Sequence, residues 1–383
     1  MRPAPSTPLL PRLLAIGVGL AAGVAGIVAA APVTAAPSES VTAATTAPPL
    51  AGLKVLLTND DSARGADAGF GTDGKGLYVL RRALCNAGAD VLVVAPWSQQ
   101  SGAGARMTSP GFAPVPLTVQ AVTVPAAYAG DCAGTSTGGA VFGVCTTAGP
   151  CSSTTPSASP ADAVNVGLSR FARNYWSDGP DVVLSGTNFG QNIGATLNHS
   201  GTVGAAVTAH EYAVPAVAVS AEVPRDLAQI PNVPFAAAAD FTVKLLGGLV
   251  RRNLLADDLV LNVNYPFVGA GETLGRAVKA DVGRSSDLGL TYAGDVPATG
   301  GTYQLSAGAP AGETRPNADT TALAANNIPV TALDGDWGKA MPVGAGCCWA
   351  RCADLALPGR PSEWEAWRTP RQATCSPASS VSW

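Results

Sequence analysis

The sequence predicts an α/β protein: one doubly wound, mostly parallel sheet with a C-terminal β-hairpin or arm extension. Three observations carry that expectation. Short aliphatic runs such as LKVLLTNDD (53–61) and DVLVVAP (90–96) read as strands buried on both faces. Segments of helical period lie between them, as in KGLYVLRRALCNAGA (75–89), which stops at Gly88. The strand–helix–strand order recurs along the chain, and crossovers of that kind join parallel neighbours.

Taken in order, residues 1–36 have the pattern of an export signal peptide. Arg2 and Arg12 accompany an uncharged apolar stretch at 13–31, and Val33, Thr34 and Ala35 offer small residues for cleavage. An uncleaved anchor is the other reading, since the stretch is near the roughly 18 residues a spanning helix needs; its Gly and Ala content favours the signal. Residues 37–51 read as a flexible linker, and folding is expected to begin near Leu53. The main domain is then 52–337. Within it, 109–160 is an elaborated loop or β excursion carrying Cys132, Cys145 and Cys151, expected to be stapled. A helix at 160–173 opens on Pro160, followed by a strand at 180–186. A helix at 201–213, a strand at 214–220, a long helix at 235–255 and a strand at 258–266 complete the βα rhythm. Residues 267–335 suit a hairpin or swapped arm outside the main sheet. The remainder, 338–383, holds four cysteines without any sustained period, and reads equally as a disulfide-tied tail or as disorder.

Composition narrows the chemistry. Of 383 residues 47% are hydrophobic and 13% charged, enough for a sizeable core and about half the usual charged share of roughly 25%. With 23 Lys and Arg against 27 Asp and Glu, a nucleic-acid polymer is not the expected partner. His199 and His210 are the only histidines, which excludes a His-rich zinc site. Eight cysteines in an exported chain point to disulfides, with connectivity left open. Cys85, in an apolar stripe, is expected to be buried packing.

In a doubly wound sheet, ligands bind beyond the carboxyl ends of the strands. Asp60 and Asp61 follow the first strand, Ser101 in SGAG the second and Asn188 in SGTNFGQNIG the third, an all-oxygen set suited to a hard cation such as Mg²⁺ or Mn²⁺. Taken singly, paired aspartates are more often caps, and SGAG or SGTNFG more often plain glycine turns. HSGTVGAA (199–206) opens a helix on Ser200, Gly201 and Thr202, where an anion is favoured; an ordinary helix cap is the simpler account. His199 offers a general acid or a structural residue. Ser185 and Ser200 lack the G-x-S-x-G surroundings of an acyl-transfer nucleophile.

TNDD (58–61), VVAP with SGAG (93–104), PADAV (160–164), SGTNFGQNIG (185–194), HSGTVGAA (199–206) and LNVNYP (261–266) resemble the SurE family in order and spacing. DTTALAANNIPVTALDGDW (319–337) is similar to that family's closing strand region, so the resemblance covers about 53–337. It implies the three-layer, Rossmann-like SurE fold and a metal-dependent phosphatase acting on nucleoside 5′ and 3′ monophosphates, here a secreted, acid-phosphatase-like member. It implies one divalent cation per subunit held by Asp60, Asp61, Ser101 and Asn188, with Asp60 and Asp61 catalytic. Asn59, Asn188, Ser200, Gly201 and Thr202 are implied on the phosphate side. The nucleophile stays open between a metal-bound water and one of the aspartates. The partner is a small phosphate ester, with no stable membrane association after cleavage, and the arm implies a homodimer or homotetramer. The sequence departs from the family where Ser62 replaces a glycine, where residues 62–74 carry an insertion, and where Ala105 and Arg106 stand in place of a histidine. A binding module that keeps the pocket without turnover is the competing reading.

Overall fold

The computed structural model describes residues 47–65, 74–286 and 289–335. Residues 1–36, read above as an export signal, the 338–383 tail and most of insertion 62–74 lie outside these residues. The strands are β1 (Lys54–Thr58), β2 (Asp90–Pro96), β3 (Thr118–Ala121), β4 (Val141–Cys145), β5 (Val182–Phe189), β6 (Ala216–Ala221), β7 (Val260–Tyr265), β8 (Ala277–Ala280), β9 (Gly289–Ala293), β10 (Gln304–Gly308) and β11 (Ile328–Leu333). Nine of them form one sheet in the order β3-β4-β2-β1-β5-β6-β7-β11-β8, parallel except at the β3–β4 and β11–β7 pairs. The helices are α1 (Lys75–Asn86), α2 (Pro160–Ser169), α3 (Gly201–His210), α4 (Phe235–Arg251) and α5 (Asp319–Ala324).

Strand alternation divides the core into two layers. Val55 and Leu57 pack with α1 and α4, while Leu56 packs with α2 and α3, as the two-residue period of a strand dictates. Each such fully buried side chain contributes about 1.5–3 kcal/mol. Helix α3 (GTVGAAVTAH) is buried nearly all round, which its small apolar residues permit. Helix α2 starts on Pro160 behind a capping box, in which Ser159 Oγ accepts from Asp162 N and Asp162 accepts from Ser159 N. From β1 the chain crosses to β2 on one side; from β5 it runs through β6 to β7 on the other. The direction of winding reverses between β1 and β5, and it is beyond the carboxyl ends at such a point that sheets of this kind bind ligands in a crevice.

Three expectations are revised. Leu50 is 1% exposed and its N–H donates to Ala87 O at 2.9 Å, so order begins before Leu53. The 109–160 excursion contributes β3 and β4 at the edge of the main sheet. It is stapled by Cys145–Cys151, and Cys85 is a disulfide partner of Cys132, not a packing thiol. Of the described strands in 267–335, β9 and β10 stand outside the main sheet while β8 and β11 extend it, because the apolar IPVTAL of β11 pairs antiparallel with β7.

Candidate active site

The paired aspartates lie where β1 ends. Asp60 and Asp61 are each 2% exposed. Asp60 Oδ2 accepts from Thr202 N at 3.0 Å and Oδ1 from Thr202 Oγ1 at 2.8 Å, so the first turn of α3 caps itself on a carboxylate from another strand. Burial pushes the Asp60 carboxyl above its ordinary pKa, against the opposing pull of the Thr202 hydroxyl and nearby backbone amides. Gly201 is required by this approach: a Cβ there would lie 2.9 Å from Asp60 Oδ2. Asp61 Oδ2 accepts from Asn59 Nδ2 at 3.1 Å and from Phe189 N at 2.8 Å, which joins the end of β1 to the end of β5.

Asn188, beside Phe189, is 6% exposed. Its Nδ2 donates to Gly190 O at 2.7 Å, while its Oδ1 is buried with no hydrogen-bond partner. A buried carbonyl oxygen left unpaired is costly unless a cation or water takes it. The 97–108 segment closes the β2 side. Gln100 N donates to Asp60 O at 2.7 Å and Gly104 N to His199 O at 3.1 Å. Ser101 is exposed in that turn, one residue from the Asp60 contact. Among the described residues no group of three or more His, Cys, Asp or Glu side chains gathers to hold a metal, so a cation here would rest on two carboxylates and neutral oxygens. Two acidic and two neutral oxygen donors, one of them an orphaned buried carbonyl, fit a hard divalent ion.

Three residues expected on the phosphate side make hydrogen bonds within the protein. Asn59 is fully buried and is consumed by its neighbours: its Oδ1 accepts from Asp60 N and its Nδ2 serves Asp61 and Thr187 O. Both donors of Thr202 go to Asp60. Ser200 is the α3 cap, its Oγ accepting from Val203 N at 3.1 Å. Arg106 is exposed and donates to Gln100 Oε1 at 2.9 Å. His199 is exposed, and His210 ends α3 with a buried, unpartnered Nδ1. A surface cavity of about 440 Å³ opens between Pro234, Ala237 and the 265–274 segment, and none of the expected site residues lines it.

Sequence reasoning passed over Asp162, which is 3% exposed and fastens the 97–108 segment by accepting from Thr108 N and Thr108 Oγ1, both at 2.7 Å. Its signal was present, as the acidic third residue after Ser159. Asp319, fully buried, opens the 319–337 run quoted above but was given no role there.

The family model described as survival protein SurE matches residues 55–286. The chain belongs to the SurE family. Similar SurE relatives include a protein of Geotalea uraniireducens named 5'-nucleotidase SurE, 34% identical over 218 residues, covering 57% of this chain and 67% of that one. Another with the same name, from Methanothermobacter thermautotrophicus, is 32% identical over 227 residues, 58% of this chain and 71% of its own. The crystal structure of the SurE protein from Aquifex aeolicus shares the fold with a TM-score of 0.55 at 23% identity, over 78% of this chain and 99% of that one. The SurE match spans β1 to the start of the arm and so includes every residue expected at the site.

Proposed function

We propose that this SurE protein is a phosphomonoesterase that hydrolyses nucleoside 5′ or 3′ monophosphates or related phosphate monoesters outside the cytoplasm, with one divalent cation, Mg²⁺ or Mn²⁺. The names of its relatives, 5'-nucleotidase SurE, support the reaction class. The observation that carries the site is the orphaned, buried Asn188 Oδ1 beside two buried aspartates at the switch point of the sheet.

Asp60, Asp61, Ser101 and Asn188 would hold the cation. When bound, it supplies positive charge for a phosphate oxygen and for the charge that develops as the ester bond breaks. The chain's own residues do the rest. Thr202 fixes both oxygens of Asp60 in one orientation, and Asn59 with the Phe189 amide orients Asp61. Water activated by one of the two aspartates is the preferred nucleophile, and direct attack by Asp60 or Asp61 is the alternative. The crevice takes a small ester, not a nucleic-acid polymer, consistent with the acidic net charge of −4.

The reading includes export: residues 1–36 are removed, and the mature protein is secreted without stable membrane attachment. Among the described residues no helix is long and apolar enough to cross a membrane. A panel of phosphate monoesters, assayed on the cleaved protein with and without EDTA, tests the whole reading. Release of inorganic phosphate that EDTA abolishes and Mg²⁺ or Mn²⁺ restores is the expected result. Release that survives EDTA removes the cation, and retention of nucleotide without release leaves a binding module, the reading that Ala105 and Arg106 in place of a histidine keep in play.

A further inference from the structure

The chain between Asn188 and Ser200 connects the orphaned carbonyl to the first turn of α3, so its path sets the distance between the two sides of the crevice. Side chains from distant elements hold its backbone at Asn192 and again at Gly194. At Asn192, its N–H donates to Asn264 Oδ1 at 2.7 Å, and its carbonyl accepts from Asn262 Nδ2 at 2.8 Å and Asn264 Nδ2 at 3.0 Å. At Gly194 the grip comes from a residue 125 positions away. Asp319 Oδ1 accepts from Gly194 N at 3.1 Å, Gly283 N at 2.8 Å and Thr320 N at 2.8 Å, and its Oδ2 also faces Gly194 N at 3.2 Å.

Asp319 is fully buried, yet it touches none of the groups assigned to the reaction. An acidic side chain carried into the interior and satisfied by three backbone amides from three separate segments orders those segments together. The fit is tight: Gly194 has φ 56°, and a Cβ there would lie 2.0 Å from Ser285 O. Glu313 binds the same junction from outside, accepting from Arg284 N, Ser285 N and Thr320 Oγ1 at 2.9–3.0 Å. The family match ends at residue 286, so both carboxylates come from beyond it.

We infer that Asp319 is a positioning residue: it holds the 190–199 segment, and through it Asn188 and the Ser200–Thr202 turn, at the spacing the crevice requires, and it ties that spacing to the base of the arm. The inference rests on the phosphomonoesterase reading for its kinetic consequence, but not for its structural one.

The test compares the full-length mature protein with Asp319→Ala and Asp319→Asn. A misplacement of about 1 Å costs roughly 100-fold, so Asp319→Ala is expected to lower kcat about 10- to 100-fold with KM changed less than about threefold. Asp319→Asn keeps an acceptor oxygen for the three amides and is expected to restore kcat to within about threefold of the parent. Amide hydrogen exchange in Asp319→Ala should rise across 190–203 and not in α1 or β2. An unchanged kcat, a failure of Asn to restore it, or a rise in exchange spread evenly over the domain would each overturn the inference. If Asp319→Ala does not fold, Gly194→Ala perturbs the same junction and is expected to give the same kcat loss and local exchange; parental values there overturn it. If the parent protein releases phosphate from no ester, the catalytic reading fails, and the exchange pattern alone decides whether Asp319 holds the segment.

Discussion

Ser62 has φ 114°, a conformation that favours glycine, directly after the paired aspartates. Its hydroxyl offsets part of the cost by donating to Trp97 O at 3.2 Å and accepting from Arg64 N at 3.0 Å. Strain of about 1–3 kcal/mol then opposes two hydrogen bonds of about 1 kcal/mol each. Ser62→Gly should therefore unfold within about 1 kcal/mol of the parent, whereas Ser62→Ala keeps the strain, loses both bonds and should cost about 1–3 kcal/mol. Urea titration separates the two, and an alanine variant as stable as the glycine one would contradict this account. At the neighbouring position the effect is on chemistry. Asp61→Asn preserves shape while removing a charge from the proposed cation site, so kcat/KM should fall by about 10³-fold or more with circular dichroism unchanged. Undiminished turnover would take Asp61 out of the mechanism.

At the scale of elements, α1 is bound to the 109–160 excursion by more than its disulfide. Arg81, 2% exposed, donates to the carbonyls of Gly139, Tyr128 and Asp131 at 2.9, 3.4 and 3.1 Å. Arg82 pairs with Asp131 at 2.9 Å and lies 4.4 Å from the Tyr128 ring centre. Cys85–Cys132 closes 47 residues around this seam, and a loop of that size gives about 4 kcal/mol of chain-entropy stabilisation. The Cys85→Ser, Cys132→Ser double variant should thus lose about 2–4 kcal/mol in denaturant unfolding while keeping the parallel sheet. A loss below about 0.5 kcal/mol would show that the Arg81 contacts hold the seam by themselves.

At the scale of the molecule, β9 and β10 stand apart among the described strands, pairing only with each other. Leu305 lies opposite Tyr292, and Leu290 and Tyr303 fall on the same face by alternation. All four are more than half exposed, at 58%, 63%, 54% and 53%. A two-stranded sheet is marginal alone in water, and an apolar face of this kind calls for a cover. A second copy of the chain supplies one in our proposal, as a homodimer or homotetramer joined through the arms. Sedimentation of the mature protein should show the assembly, and Tyr292→Ser with Leu305→Ser should shift it toward monomer. A parent protein that sediments only as monomer would reject the proposal.

The alternation of apolar strands with helical segments was enough to place β1, α1, β2, α2, β5, α3, β6, α4 and β7 in the sequence, because each element buries side chains at its own period whatever its neighbours are. The places of the aspartates, Ser101 and Asn188 were legible for a related reason: residues that end neighbouring parallel strands of a doubly wound sheet lie at one edge of it. What remained hidden depends on partners distant in the chain. Residues 328–333 pair with β7 and 277–280 with 328–331, and nothing local in either run says so. Cys85 could meet any of several cysteines, and only folding brings it to Cys132. Asn59 and Thr202 carry polar groups that any ligand could have claimed, yet burial gave them to the aspartates, since a buried donor or carboxylate takes whichever partner the packing leaves beside it.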